Sequence, residues 1–132
     1  WEAQYNAPDF VVANGSPNCN PWAQPVPATD ASRTAMIQCF VDHWFHAMTM
    51  SSVPNGDYDV YVTAWVDWDN PNAQPATFYL QGVQRDSVVL ASRGEWRRLG
   101  PWRATVSDGS LVLSSSGDTI KVSGVEVWRV GG

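Results

Sequence analysis

The stretch VPNGDYDVYVTAWV, residues 53 to 66, decides the fold class. Its Pro-Asn-Gly-Asp sequence, residues 54 to 57, is typical of a turn because these residue types favour turn conformations. From residue 58 onward, apolar side chains occupy every second position, namely Tyr58, Val60, Val62, Ala64 and Val66. A period of two places them on one face of a β-strand and the intervening residues on the other. The stretch therefore predicts a turn followed by a half-buried strand.

Short strands and turns continue through the second half of the chain. The apolar pattern predicts strands at residues 76–81, 87–91, 103–106, 111–114 and 120–130, with a bulge at Gly124. Short strands separated by turns every eight to twelve residues are typical of an antiparallel sandwich or barrel. We expect residues 1–132 to form a single all-β domain, an antiparallel β-sandwich, because this length suits one hydrophobic core.

The first fifty residues give a less regular pattern. Residues 1–35 contain five prolines and predict an arm of short strands and turns. The run TAMIQCFVDHWFHAMTM, residues 34–50, is long enough for a helix, but Ile37, Cys39 and Val41 alternate with other residues as in a strand. We therefore predict strands over this run, with an interruption near its middle.

Charge and composition exclude several classes of function. Thirteen acidic residues against eight basic ones give a net charge of −5, whereas a nucleic-acid-binding domain normally carries a cationic surface. No apolar run approaches the ~20 residues that a membrane-spanning helix requires. We therefore expect neither a nucleic-acid nor a membrane partner. The single lysine, the many small polar residues and the eight tryptophans suit a secreted, extracellular protein.

The chain contains two cysteines, Cys19 and Cys39, which lie twenty positions apart. An even pair at this spacing is compatible with one disulfide that closes a loop. Two reduced, partly buried thiols are the alternative. We expect the disulfide.

The tryptophans are the strongest functional signal. Five of the eight fall in predicted loops or at strand ends: Trp22, Trp44, Trp68, Trp96 and Trp102. An indole presents a flat apolar face and one N–H donor, which matches the apolar face of a pyranose ring rimmed by hydroxyls. Any single one of these rings could instead pack in the core. Together they predict a carbohydrate-binding site.

Two of these tryptophans have charged neighbours in the sequence. Asp67 and Asp69 flank Trp68, and Glu95 and Arg97 flank Trp96. Such groups can orient sugar hydroxyls through charge-assisted hydrogen bonds. The carboxylates could instead form the catalytic pair of a glycoside hydrolase, which holds its two carboxyl groups ~5 to 9.5 Å apart. We favour binding because acidic side chains on loops are mostly solvated.

Several motifs resemble those of a known superfamily. They are the stretch at 53–66, TFYLQG at 77–82 and VSDGSLVLSSSGDTIKVSGVEVWR at 106–129. They resemble the galactose-binding-like β-sandwich, a jelly roll, of malectin-like domains and of carbohydrate-binding modules of families 6 and 35. The opening WEAQY is similar to the EAE start of those modules, GEWRRLGPW at 94–102 to their GGWxxW element, and DHW at 42–44 to their GDW element.

The resemblance implies roles for individual residues. The tryptophan of the GGW element stacks on sugar in such modules and corresponds to Trp96, whereas Trp44 or Trp22 corresponds to the opposing wall. A structural calcium is often held there by the acids of the EAE start and an aspartate of the last strand. Here Glu2 remains, the second acid is replaced by Gln4, and the last strand has no aspartate. We therefore expect no cofactor, with Glu2 as the one candidate calcium ligand.

From these observations we expect a non-catalytic carbohydrate-binding module. Its ligands would be polysaccharides, above all neutral plant cell-wall β-glycans such as β-glucan, xyloglucan or other hemicellulose. Trp96 would stack on the chain together with one or two of Trp44, Trp68 and Trp102, and the module would target a covalently attached glycoside hydrolase. The alternatives are a structural or protein-interaction β-sandwich of a secreted enzyme and a small hydrolase.

Overall fold

The computed structural model describes residues 10–13, 17–41, 47–118 and 120–130. Within these ranges the chain forms ten strands and one short helix. Their bounds are β1 Phe10–Ala13, β2 Pro17–Cys19, α1 Ala31–Gln38, β3 Cys39–Val41, β4 Ala47–Met50, β5 Gly56–Trp65, β6 Ala76–Leu80, β7 Val83–Val88, β8 Trp96–Val106, β9 Leu111–Gly117 and β10 Lys121–Arg129.

The strands form two five-stranded sheets. The first has the order β1-β4-β9-β6-β7 and the second the order β2-β3-β10-β5-β8. Every pair of neighbouring strands is antiparallel. The fold is therefore the antiparallel β-sandwich that the sequence predicts. The helix is too short to cross a membrane, and no described helix could do so.

The main core lies between the sheets. Strand β5 supplies the alternating residues predicted from the sequence, and Val60, Val62 and Ala64 are fully buried. Phe78 and Leu111 of the first sheet are also fully buried and belong to the same cluster. The bulge predicted at Gly124 is present, since the pairing of β10 with β5 shifts between Val122 and Gly124.

A helix replaces the first of the strands predicted at residues 34–50. Asp30 caps α1 because its side chain accepts a hydrogen bond from the Arg33 backbone N–H, at 2.8 Å. The predicted strand begins only at Cys39, where β3 starts. Ile37 instead belongs to the helix and is buried against the outer face of the second sheet, with Phe40 and Trp65.

The bounds of two other elements differ from the predictions. The strand predicted at 87–91 lies earlier, because Gln81 and Gly82 both adopt positive φ angles and form a two-residue hairpin turn that β7 follows at once. The segment from residue 96 to 102, predicted as a loop, is the first half of the eleven-residue strand β8. It pairs with β5 along its whole length.

A bulge in β8 separates the roles of its two tryptophans. Residues an even number apart normally share a face of a strand, but Gly100 and Pro101 together oppose the single residue Tyr61. The extra residue turns Trp102 inward, whereas Trp96 faces outward. A glycine is required at the bulge because φ of Gly100 is +116° and a Cβ there would press on the Val60 carbonyl.

The expectation that Trp102 binds sugar is therefore corrected. Its ring is 6% exposed, and its centroid lies 6.0 Å from that of Phe78 in the core. Neither face of the indole has room for a sugar ring.

Cys19 and Cys39 form the predicted disulfide, which joins β2 to β3. It closes a loop that contains residues 20–30 and α1. The covalent bond therefore fixes both ends of the segment that covers the outer face of the second sheet.

Replacing Trp102 by alanine should destabilise the protein by about 3–5 kcal/mol, because a large buried ring is lost from the core. The matched variant Trp128→Ala should change stability by no more than about 0.5 kcal/mol, since this ring is 59% exposed on a sheet face. Urea denaturation followed by far-UV circular dichroism measures both. Equal effects in the two variants would contradict the inward position of Trp102.

Candidate functional site

Three loops meet at one end of the sandwich. We call them the arm (residues 20–30), the β5–β6 loop (66–75) and the β7–β8 loop (89–95). The arm precedes α1, and the other two loops each cross from one sheet to the other. Together they carry most of the side chains that the sequence predicts to be functional.

Gly94 is the point at which the three loops join. Its backbone N–H donates to the Val66 carbonyl at 2.8 Å, and its carbonyl accepts from the Val26 N–H at 2.8 Å. Its φ is +87°, and a Cβ at this position would overlap the Gln24 carbonyl. Only glycine therefore fits the junction.

Two tryptophans project from the joined loops. Trp22 on the arm is 83% exposed, and Trp68 on the β5–β6 loop is 49% exposed. Neither ring belongs to a described hydrophobic cluster. Exposed apolar rings that the core does not require are typical of binding surfaces.

Arg93 connects the two loops that carry these rings. Its backbone N–H donates to Oδ1 of Asp69 at 2.9 Å, and its guanidinium donates to the Trp22 carbonyl at 3.4 Å. The site prediction from the sequence does not include Arg93. Four of the seven arginines lie between residues 93 and 103, and this cluster is the signal that could have indicated Arg93.

Trp96 lies beneath the arm rather than in the open. Its indole Nε1–H donates to the Pro27 carbonyl at 2.8 Å, and its ring packs against the cluster of Ala23, Ile37, Phe40 and Trp65. The half-buried ring therefore holds the arm in place, and its one polar hydrogen already has a partner. Stacking of sugar on Trp96 stays a prediction.

Asp67 makes contacts inside the protein. Its Oδ2 accepts from Nδ2 of Asn20 at 3.0 Å, and its Oδ1 lies 3.6 Å from Nζ of Lys121. These contacts connect the β5–β6 loop to the arm and to strand β10.

The other predicted polar residues, Glu95 and Arg97, form an ion pair at 3.2 Å. The carboxylate of Glu95 also accepts from the backbone N–H groups of Ala91 and Ser92, at 3.0 and 3.4 Å. The Ala91 hydrogen bond is the main cause that lowers the pKa of Glu95, with smaller contributions in the same direction from Ser92 and Arg97, while burial opposes them. A general acid of a glycoside hydrolase needs the opposite, a raised pKa.

Trp44 and Glu2 lie outside the described residues. In the described part of the chain, no three His, Cys, Asp or Glu side chains are grouped so that they could hold a metal ion.

The architecture matches that of known carbohydrate-binding modules. A family 35 carbohydrate-binding module from Clostridium thermocellum superposes with a TM-score of 0.53 at 15% sequence identity, over 92% of this chain and 93% of that one. The chain has the β-sandwich fold of the family 35 carbohydrate-binding modules. At this identity the likeness concerns the fold alone.

Two further proteins that match this chain are much longer, so the chain spans only a small part of their length. A β-glucuronidase from Bacteroides uniformis matches 98% of the chain with a TM-score of 0.70 at 11% identity, and the match spans 15% of that enzyme. The human "Uncharacterized protein KIAA0232" is 30% identical over 88 residues, which are 67% of this chain and 6% of that protein. No protein-family model matches the chain.

Replacing Glu95 by glutamine should destabilise the protein at pH 7. At acid pH the variant and the wild-type protein should be equally stable. Because the pKa of Glu95 is lowered in the folded state, its stabilising contribution is complete above the ordinary glutamate value of about 4.3 and disappears as the pH falls through the lower folded-state value. The free energy of unfolding of both proteins, measured in urea at pH 7, 5 and 3, tests this.

The variant Asp86→Asn is the control for the loss of one negative charge, because Asp86 is exposed on strand β7 and takes no part in the hydrogen bonds of Glu95. If the free energy of unfolding of the wild-type protein exceeded that of Glu95→Gln by more at pH 3 than at pH 7, the lowered pKa of Glu95 would be contradicted.

Proposed function

We propose that the protein binds a polysaccharide chain at the loop end of the sandwich, through the exposed rings of Trp22 and Trp68. The observation that carries the proposal is the presence of two exposed indoles on neighbouring loops that Arg93 joins by hydrogen bonds. The ligands that suit this surface best are neutral plant cell-wall β-glycans, such as β-glucan, xyloglucan or another hemicellulose.

The chemistry of the two rings supports a sugar ligand. Each indole offers a flat apolar face for the C–H groups of a pyranose ring. Asp69 and Arg93 lie beside the rings with exposed side chains and can bond to sugar hydroxyls. Hydrogen bonds within the protein already hold both residues in place, so fewer groups have to be ordered when a ligand binds.

The fold supports the same class of function. Domains with this architecture include the family 35 module named above. In the β-glucuronidase, a region of similar fold makes up 15% of a longer chain. We infer that this domain is secreted and that it raises the local concentration of an attached glycoside hydrolase at its substrate, without catalysing a reaction itself.

A protein-interaction domain is the second candidate. Trp128 is 59% exposed on the outer face of the second sheet, far from the three loops. On this face Arg103 pairs with Asp59 at 2.9 Å. Exposed tryptophan and arginine side chains are enriched at the centres of protein interfaces. This surface does not involve the arm or the loops.

Alanine at Trp22 or at Trp68 should weaken glycan binding at least about tenfold, which corresponds to ~1.4 kcal/mol of lost contact. Affinity electrophoresis in gels containing β-glucan, xyloglucan, xylan, mannan or galactan measures the effect as lost retardation. The matched control is Trp128→Ala, because Trp128 lies seven residues along β10 from Lys121, ~23 Å from the loop end.

Retardation of the wild-type protein by none of these polymers would refute the proposal. Retardation that is lost only in the Trp128 variant would place the binding surface on the sheet face.

A further inference from the structure

We infer that Asn20, Asp67 and Lys121 form a polar relay that fixes Trp22 relative to Trp68, and that Asp67 is a positioning residue rather than a sugar contact. The inference rests on the proposed function, because it concerns the arrangement of the two rings that would bind the glycan.

The relay connects three separate parts of the chain. Lys121 on β10 lies 3.6 Å from Oδ1 of Asp67, and Oδ2 of Asp67 accepts from Nδ2 of Asn20 at 3.0 Å. Oδ1 of Asn20 then accepts from the backbone N–H of Trp22 at 3.1 Å. Since Asp67 immediately precedes Trp68, one side chain influences the positions of both rings.

The carboxamide of Asn20 can serve this relay in one orientation only. Its oxygen faces the N–H of Trp22, and its NH2 group faces the carboxylate of Asp67. A flipped amide would place donor against donor and acceptor against acceptor. The turn that begins at Asn20 is therefore fixed by a residue 47 positions away.

The Lys121–Asp67 pair of the relay is largely shielded from water and lies against the sheet. The side chains of Lys121 and Asp67 are only 13% and 16% exposed, so their attraction is screened less than that of a surface pair. The ammonium group of Lys121 also lies 5.0 Å from the centre of the Phe40 ring. Lys121 is the only lysine in the chain.

Two consequences follow for the site. Protein donors already engage both carboxylate oxygens of Asp67, which leaves it poorly placed to bind sugar hydroxyls. Arg93 forms a second connection between the same loops, so the arm is held to the β5–β6 loop at two points. The spacing of the rings is thus set before a ligand binds, and such preorganisation favours ligands that match it.

Exchanging the two polar residues tests the relay directly. In Asp67→Asn, the new NH2 group faces either the NH2 group of Asn20 or the ammonium group of Lys121, and in Asn20→Asp, two carboxylates face each other. The double variant Asn20→Asp/Asp67→Asn restores both side-chain hydrogen bonds of residue 20, because the new aspartate accepts from Trp22 and from the new asparagine, whose oxygen then faces Lys121. Asp86→Asn is the matched control for an aspartate outside the relay.

The first measurement needs no glycan. NMR follows the exchange of the Trp22 backbone amide with water, which each single variant should accelerate about three- to tenfold, as expected for the loss of one hydrogen bond. The double variant should return to the wild-type rate. Unchanged exchange in the single variants, or a folded double variant that is not restored, would overturn the relay.

The second measurement is affinity electrophoresis on the polymer that retards the wild-type protein. The single variants should bind more weakly by a similar factor, and the double variant should recover. Altered exchange with unchanged binding would overturn the positioning role of Asp67. Absence of binding in the wild-type protein would refute the proposed function instead, and the exchange rates would still decide whether the relay exists.

If a single exchange prevents folding, as seen by circular dichroism, Asn20→Ala is the substitute. It removes both side-chain hydrogen bonds of Asn20 without opposing like groups. The same acceleration of exchange at Trp22 is expected, and an unchanged rate would overturn the relay.

Discussion

The one-residue bulge in β8 is the constraint on which both the core and the loop end depend. Gly100 and Pro101 oppose a single residue of β5, so the strand changes the face it presents to the core partway along its length. On one side of the bulge Trp102 fills the space between the sheets. On the other side Trp96 faces outward and supports the arm through the Pro27 carbonyl. A regular strand would place both rings on the same face.

The outer face of the second sheet is covered in one half and open in the other. Helix α1 and the arm cover the part around Trp65 and build a second, smaller core there. The disulfide closes this covering segment at its base. Trp22 is thereby held on a fixed support, which is why a ring that is almost fully exposed can still occupy a defined position.

Polar side chains at the loop end act mainly on the protein itself. Asp67, Asp69 and Glu95, which the sequence suggests as sugar contacts, accept hydrogen bonds from Asn20, from the Arg93 backbone and from the Ala91 backbone, respectively. Short acidic side chains in loops commonly bond to nearby backbone groups in this way. The exposed surface that they leave consists of the two indoles and the groups between them.

The sequence by itself determines the sandwich, the alternating burial of β5, the bulge at Gly124 and the pairing of the two cysteines. The first three follow from local spacing, because strand periodicity and turn residues act over a few positions, whereas the disulfide is expected from the even pair of cysteines. The tertiary structure alone decides that residues 31–38 are helical, that Trp102 and Trp96 face opposite ways, and that Arg93 joins two loops. The physical reason is that a side chain's role depends on the face it presents and on partners distant in the sequence, and neither is encoded in the local pattern.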